Sequence, residues 1–465
     1  MFVGREFELA QLNKLYDRGK FQLIIVYGRQ KVGKTALVKE FCKDKPTLYY
    51  VPEEHNEVLA FNSFRNQIIN HFDIRDKELP LSNWEEALKA ICVSSEGSEL
   101  VLVLDEFPYL VKENPSLPSI IQKVIEQCYK QSKIYLIIVS SSNGYVEKEL
   151  LNSKSALYTL RNAQLKIEPF NFFESSRFFP KVSITEKIVY YSTLGGIPQY
   201  LLQFDYSKDY EQNLMEYMLN KTTYLYAEPE VYLKSHIEDI NFAHSLLSLL
   251  SKGDFNLERF NYNEPLIVED LITMLKKLRD LNIISRNRSV GRSTVRPWSY
   301  YHLEDNFFRF WYRFIYKNRN LIEMNMKEYL YQNKIKRDLN SHIGYVFEKI
   351  CRDFLIKYNA AYKLPFVFES IGSWVGYNPA LRRPSQLDIV AVNSENVLIG
   401  ECKWNNSLLE LSTIQHLIKK TETLKYDNKY YCFFSKCGYD EGSKAYAKEN
   451  NNVFLFTLED IENLL

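Results

Sequence analysis

Residues 21–35 read FQLIIVYGRQKVGKT, and the order of events in this stretch decides the N-terminal fold. FQLIIVYG (Phe21–Gly28) is a β-branched apolar run ending in glycine, the pattern of a buried strand. TALVKEF (Thr35–Phe41) then places Ala36, Leu37, Glu40 and Phe41 at helical spacing. Between the two lies GRQKVGKT (Gly28–Thr35), a complete G-x-x-x-x-G-K-T. In a strand–loop–helix context, Gly28 and Gly33 let backbone N–H groups converge on phosphate oxygens, and the helix N-terminus adds its positive end. The pattern assigns Lys34 to the β- and γ-phosphates of ATP and the Thr35 hydroxyl to Mg²⁺.

Two more buried strands follow, ELVLVLDEF (Glu99–Phe107) and KIYLIIVSS (Lys133–Ser141), with helical periodicity around Trp84–Cys92 and Ile120–Lys130. Strands alternating with helices predict an α/β fold, a parallel sheet with helices on both faces. The acids closing LVLVLDEF supply the partner of the phosphate loop. Asp105 would hold Mg²⁺ through water, and Glu106 would polarise the attacking water as general base. The bland alternative is a strand exiting into solvent. At the third strand tip, SSSN offers Ser140, Ser142 or Asn143 as a γ-phosphate sensor, or an ordinary polar strand end. Arg161 is either a surface arginine or an arginine finger acting on a neighbouring subunit, which would require a homo-oligomer.

The 465 residues suggest about three domains. Hydrophobic residues make up 46% and charged residues 25%, which excludes wholesale disorder and fibrous classes. A net charge of +1 excludes a globally basic nucleic-acid binder but leaves room for a local basic face. The seven cysteines (Cys42, Cys92, Cys128, Cys351, Cys402, Cys432, Cys437) are scattered without a CxxC pair, as expected for reduced thiols. The histidines show no HxxxH spacing, which argues against a histidine zinc site. The opening MFVGREFELA lacks a signal-peptide pattern, and no run approaches the roughly 18–20 apolar residues of a membrane span. A cytoplasmic protein with no membrane partner is expected.

Beyond a P-loop core at 1–180, residues 181–235 look helical and carry LGGIPQY (Leu194–Tyr200), as a helical lid would. Residues 236–300 have the layout of a winged helix. There Leu271, Met274, Leu275 and Leu278 form one apolar helix face, and RNRSVGRSTVR (Arg286–Arg296) would be a basic wing carrying Arg286, Arg288, Arg292 and Arg296. Residues 301–335 are a very aromatic helical connector, and a further α/β unit occupies 336–465. In that unit a helix spans Gly344–Leu355, and strands are expected at Gln386–Val392, Val397–Trp404 and Tyr430–Ser435. Glu401 and Lys403, two apart in a strand, project to one side. If the first two strands pair antiparallel through Asn393–Asn396, Asp388 joins them. Two converging carboxylates, completed by the Cys402 carbonyl, suit Mg²⁺ or Mn²⁺, with Lys403 placed to position or help deprotonate a metal-bound water. Glu348, one helix upstream, would add a further carboxylate.

The opening FVGREFEL, then GRQKVGKT, LVLDEF and LGGIPQY, resembles the archaeal-type ATPase family within the AAA+/STAND group of P-loop ATPases, over about residues 1–235. That resemblance implies that Val3, Gly4, Arg5 and Glu6 lie near the adenine and the lid. It departs at SSSN, which stands where the family usually has Gly-Ser. The spacing of Glu348, Asp388, Glu401 and Lys403 resembles the PD-(D/E)XK nuclease superfamily, with Gln415 where those nucleases often carry a polar active-site residue. Leu387 precedes Asp388 where a proline is usual. The whole arrangement resembles a fused family whose C-terminal region has no assigned function.

Two readings follow. The first is an ATPase coupled to a metal-dependent nuclease acting on DNA. The second is a nucleotide-switched, STAND-like regulator whose nuclease fold grips DNA or a protein without cutting. A peptide- or chaperone-directed ATPase is a third.

Overall fold

A computed structural model of the chain describes residues 2–52, 56–74, 80–253, 265–290, 299–378, 383–422 and 424–465. Two compact units result, Met1–Pro169 and Phe170–Leu465. The first therefore ends earlier than the expected boundary at 180, because the residues after Pro169 pack with those that follow. Phe170 N donates to Gly196 O at 2.8 Å, and Phe172 and Phe173 share a core with Ile188 and Tyr191.

The first unit is a five-stranded sheet of β1 (Gln22–Tyr27), β2 (Thr47–Tyr50), β3 (Leu100–Leu104), β4 (Ile134–Ser140) and β5 (Ala163–Lys166), in the order β2-β3-β4-β1-β5. Every pairing is parallel. Each residue of β1, β3 and β4 is buried, as continuous apolar strands covered on both faces must be. The helices of this unit that bear on the site are α1 (Glu6–Tyr16), α2 (Lys34–Cys42), α3 (Glu57–Phe72), α4 (Trp84–Ser94) and α5 (Phe107–Glu113). β2 and β5 went unread in the sequence. Both are four residues long; β2 alternates half-buried with buried positions and β5 half-buried with exposed ones, so neither forms the continuous apolar run that marks the central strands.

The second unit begins helically, with α6 (Ile184–Leu194), α7 (Ile240–Leu250) and α8 (Pro265–Asp280) among its helices. The LGGIPQY turn has a steric explanation. Gly195 ends α6 at φ 68°, and a Cβ on Gly196 would lie 1.8 Å from the Phe170 carbonyl oxygen. Gly196→Ala is accordingly expected to cost about 1–3 kcal/mol or more. Gly144→Ala, whose Cβ meets nothing within 4 Å, serves as the control in thermal melts.

On α8, Leu271, Met274, Leu275 and Leu278 are all buried, as the apolar face predicts. After it β6 (Ile284–Arg288) pairs antiparallel with β7 (Ser299–Leu303). The hairpin thus extends to Leu303, into the stretch expected to be helical connector; helix resumes at Asn306. Arg292 and Arg296 lie outside the described residues. The hairpin docks on the C-terminal domain: Ser289 Oγ donates to Val375 O at 2.8 Å and accepts from Val375 N at 2.9 Å, and Val290 N donates to Ser373 O at 3.1 Å. Glu304, just past β7, pairs with Lys349, whose ammonium holds its carboxyl well below the usual range.

The C-terminal domain is built on α9 (Lys336–Ala360) and a mixed sheet of β8 (Ser370–Asn378), β9 (Arg383–Val392), β10 (Asn396–Lys403), β11 (Asn428–Ser435) and β12 (Val453–Phe456), in the order β12-β11-β10-β9-β8. α9 covers one face through Ile343, Phe347, Ile350 and Phe354, packed with Ile389, Ala391, Leu398 and Cys432. α10 (Leu411–Thr421) covers the other through Ile414 and Leu417, packed with Val390, Val397, Ile399 and Phe433. β9 and β10 are antiparallel, in register from Val397↔Val392 to Gly400↔Ile389. The link between them is closed by Asn393, whose Oδ1 accepts from Glu395 N at 3.0 Å and Asn396 N at 2.8 Å. Among the described residues no helix is long and apolar enough to cross a membrane.

Candidate functional site

The phosphate loop runs from the end of β1 into α2. A Cβ on Gly28 would lie 2.3 Å from Ile167 O, so only glycine permits this close approach to the chain after β5. Gly33 caps α2 at φ 95°, a left-handed conformation that glycine adopts without strain. Lys34 is buried, with its ammonium donating to the Arg29 carbonyl at 2.9 Å. Burial pulls its pKa down to about 8, against the opposing pull of Glu106 and Asp105. A buried cation so poorly compensated is what an anionic phosphate in the loop would restore to full charge.

Asp105, at the end of β3, lies within reach of the loop because β3 and β1 flank β4 in the sheet. Its Oδ2 accepts from Thr35 Oγ1 at 3.0 Å and from Tyr49 OH at 2.6 Å, and its Oδ1 accepts from Glu106 N at 2.8 Å. A hydroxyl and a carboxylate converge beside the loop, a donor set that fits Mg²⁺ accompanying ATP. Glu106 adopts φ 46°, an unusual conformation for a residue with a Cβ, and its Oε2 accepts from Ser141 Oγ at 2.6 Å.

The strand-tip residue that reaches Glu106 is therefore Ser141, rather than Ser140, Ser142 or Asn143. Ser140 Oγ donates to Ser142 O at 3.3 Å, and Ser142 Oγ caps the following turn at Tyr145 N. Arg161 donates to Tyr158 O and to Gln164 Oε1, and lies 4.3 Å over the Tyr158 ring. In the N-terminal box, Arg5 is buried and donates to Val32 O at 3.1 Å and Glu168 O at 2.6 Å, stapling the opening of α1 to the phosphate loop. Tyr49 and Ser141 were missed in the sequence, Tyr49 because an aromatic in TLYY reads as core.

In the second unit the antiparallel register brings Asp388 opposite the Glu401–Cys402 end of β10. Asp388 Oδ2 accepts from Cys402 N at 3.0 Å, and Lys403 Nζ lies 2.6 Å from Glu401 Oε1. Alternation puts Glu401 and Lys403 on the Val397 and Ile399 face, whereas an irregularity of β9 between Leu387 and Val390 interrupts the alternation at Asp388. Burial first, and then the neighbouring Glu401 carboxylate, push Asp388 up to about 6. Burial opposes the charge on Lys403, but Glu401 and Asp388 outweigh it and raise its pKa.

Glu348 sits on α9, and among the described residues no group of three or more His, Cys, Asp or Glu could hold a metal ion. Its link to the pair runs through Arg352, whose Nη1 lies 3.9 Å from Glu348 Oε2 and donates to Asp388 O at 2.9 Å. Gln415 is exposed on α10. From that helix Lys420 instead reaches the strand, donating to Gln386 O, and its charge bears on Asp388. Neither Arg352 nor Lys420 carries a sequence signal of this role.

A sheet of parallel strands, an intact phosphate loop and an acid pair at the tip of β3 define a P-loop ATPase core. Residues 2–204 match a family described as an ATPase domain predominantly from Archaea, and residues 311–418 match a family of archaeal and bacterial proteins of unknown function. The N-terminal part of the chain is thus similar to archaeal-type ATPase domains. An uncharacterized protein of Methanocaldococcus jannaschii is 29% identical over 466 residues, covering 99% of this chain and 100% of that one. An uncharacterized ATP-binding protein of Pyrococcus abyssi is 27% identical over 179 residues, 37% of this chain and 49% of that one. The solved Walker-type ATPase of Pyrococcus abyssi is 16% identical, with a TM-score of 0.47 over 67% of this chain and 96% of that one.

Proposed function

We propose that this protein couples ATP hydrolysis in its first unit to metal-dependent cleavage of DNA by its C-terminal domain, which we read as a PD-(D/E)XK nuclease-like fold. The observation that carries the reading is the meeting of Asp388 with the Glu401–Lys403 end of β10, through the Cys402 N–H and the charges of both residues. In the ATPase site, Lys34 and Thr35 would hold the phosphates and Mg²⁺, Asp105 would orient a metal-bound water, and Glu106 would accept the proton of the attacking water. In the second site Asp388, Glu401 and the Cys402 carbonyl would hold Mg²⁺ or Mn²⁺, which when bound supplies charge neutralisation and an acidified water. Lys403 would orient that water, and Arg352 holds the backbone carbonyl of Asp388. Residues 236–300 are read as a winged helix, whose exposed Arg286 would meet a DNA phosphate.

A second reading, a nucleotide-switched regulator whose C-terminal domain grips DNA without cutting, is favoured by the Lys403–Glu401 ion pair, which ties the lysine to one of the carboxylates a metal would need. The two separate in one assay. Wild type and Asp388→Ala are incubated with plasmid, linear and single-stranded DNA, with Mg²⁺ or Mn²⁺, with and without ATP. Cleavage by wild type alone, altered by ATP, is expected. Salt-sensitive DNA binding by both proteins without cleavage would establish the regulator instead.

A further inference from the structure

β2 enters the site from outside every motif. It pairs parallel with β3, Tyr49 opposite Val103, and its residues alternate. Leu48 and Tyr50 turn into the core with Phe64 and Trp84, and the Tyr50 hydroxyl is spent on a backbone group, Ala60 O at 2.6 Å. Tyr49 faces the other way, half-buried, with Lys39 of α2 5.7 Å from its ring. Its hydroxyl goes to a side chain of the site, Asp105 Oδ2 at 2.6 Å.

Asp105 is 2% exposed, and water does little to fix its orientation. Its Oδ1 is pinned by Glu106 N, so the direction of Oδ2 depends on the Thr35 and Tyr49 hydroxyls. Thr35 must also offer a lone pair to the metal that accompanies ATP. Tyr49 has no such second task, and a hydrogen bond to a charged acceptor is among the stronger kind.

We infer that Tyr49 is a positioning residue of the nucleotide site: its hydroxyl holds the Asp105 carboxylate in the orientation that binds Mg²⁺ alongside ATP. The inference rests on the reading of Asp105 as the carboxylate that holds the metal through water. Tyr49→Phe keeps the ring and removes only the hydroxyl. Binding of a fluorescent ATP analogue to the full chain is measured in EDTA and across a Mg²⁺ titration, for wild type, Tyr49→Phe and Asp105→Asn. Tyr49→Phe is expected to keep the metal-free affinity and to raise the Mg²⁺ concentration for half-maximal tightening by roughly 3–10-fold, the loss of one hydrogen bond. Asp105→Asn should raise it at least as far. An unchanged Mg²⁺ midpoint in Tyr49→Phe, with Asp105→Asn displaced, overturns the role of Tyr49 alone. Equal losses of affinity with and without metal would make Tyr49 a structural residue and likewise overturn it. An unchanged midpoint in Asp105→Asn removes the reading of Asp105 itself.

Discussion

Glu106→Gln is expected to lower ATP turnover by roughly 10²–10⁴-fold, the contribution of a positioned general base, while nucleotide stays bound. The substitution preserves shape and the hydrogen bond from Ser141 Oγ, now 2.6 Å from Glu106 Oε2. It removes only the ability to take a proton. Lys34 and Thr35, which would carry the binding, are untouched. The residue's left-handed φ of 46° is a conformation that costs a residue with a Cβ about 1–2 kcal/mol. Such a cost is tolerated where it aims a functional side chain. Single-turnover hydrolysis measured beside equilibrium nucleotide binding separates the two effects. A Gln variant as fast as wild type would take Glu106 out of the chemistry.

The second large effect is a double one. Asp388→Asn should abolish nucleic-acid cleavage and at the same time stabilise the fold at pH 8. Burial and Glu401 raise the Asp388 carboxyl from 3.8 to about 6 in the folded chain. Below about pH 4 the group is protonated in both folded and unfolded chains and contributes nothing. As pH climbs from there to about 6, the unfolded carboxyl ionises first, so the unfolded state is favoured and stability falls. Above about 6 the full penalty is present, bounded at roughly 3 kcal/mol by the size of the rise. Asparagine is neutral at every pH and its carbonyl still accepts from Cys402 N. Melting temperatures of the two proteins should therefore coincide near pH 4 and diverge to a plateau above pH 6, with the variant higher. Equal melting at pH 8 would mean that Asp388 pays no desolvation cost.

How far each site could be read from the chain followed the distance between its partners. Lys34 and Thr35 were legible because loop, strand and helix are contiguous. Asp388, Glu401 and Lys403 were legible because a short link folds β9 back antiparallel on β10 and so returns Asp388 to the end of β10 that carries its partners. Glu348 could not be placed in the same way: its distance along the chain says nothing about how its helix packs, and only the fold sets Arg352 between it and Asp388. Short strands with one half-exposed face, β2 and β5, left no continuous apolar run, and Tyr49 was lost with β2.

The sequence alone determined the alternation of strand and helix, the phosphate loop and the acid pair that ends β3, because apolar periodicity and glycine placement act over a few neighbouring residues. Tertiary structure alone decided that β4 lies between β1 and β3, that Tyr49 and Thr35 share one oxygen of Asp105, that Ser141 holds Glu106, and that Arg352 and Lys420 flank Asp388. These depend on which strand edges pair and in what order. Buried apolar strands of similar composition leave that choice open until the packed faces and buried polar groups select one arrangement.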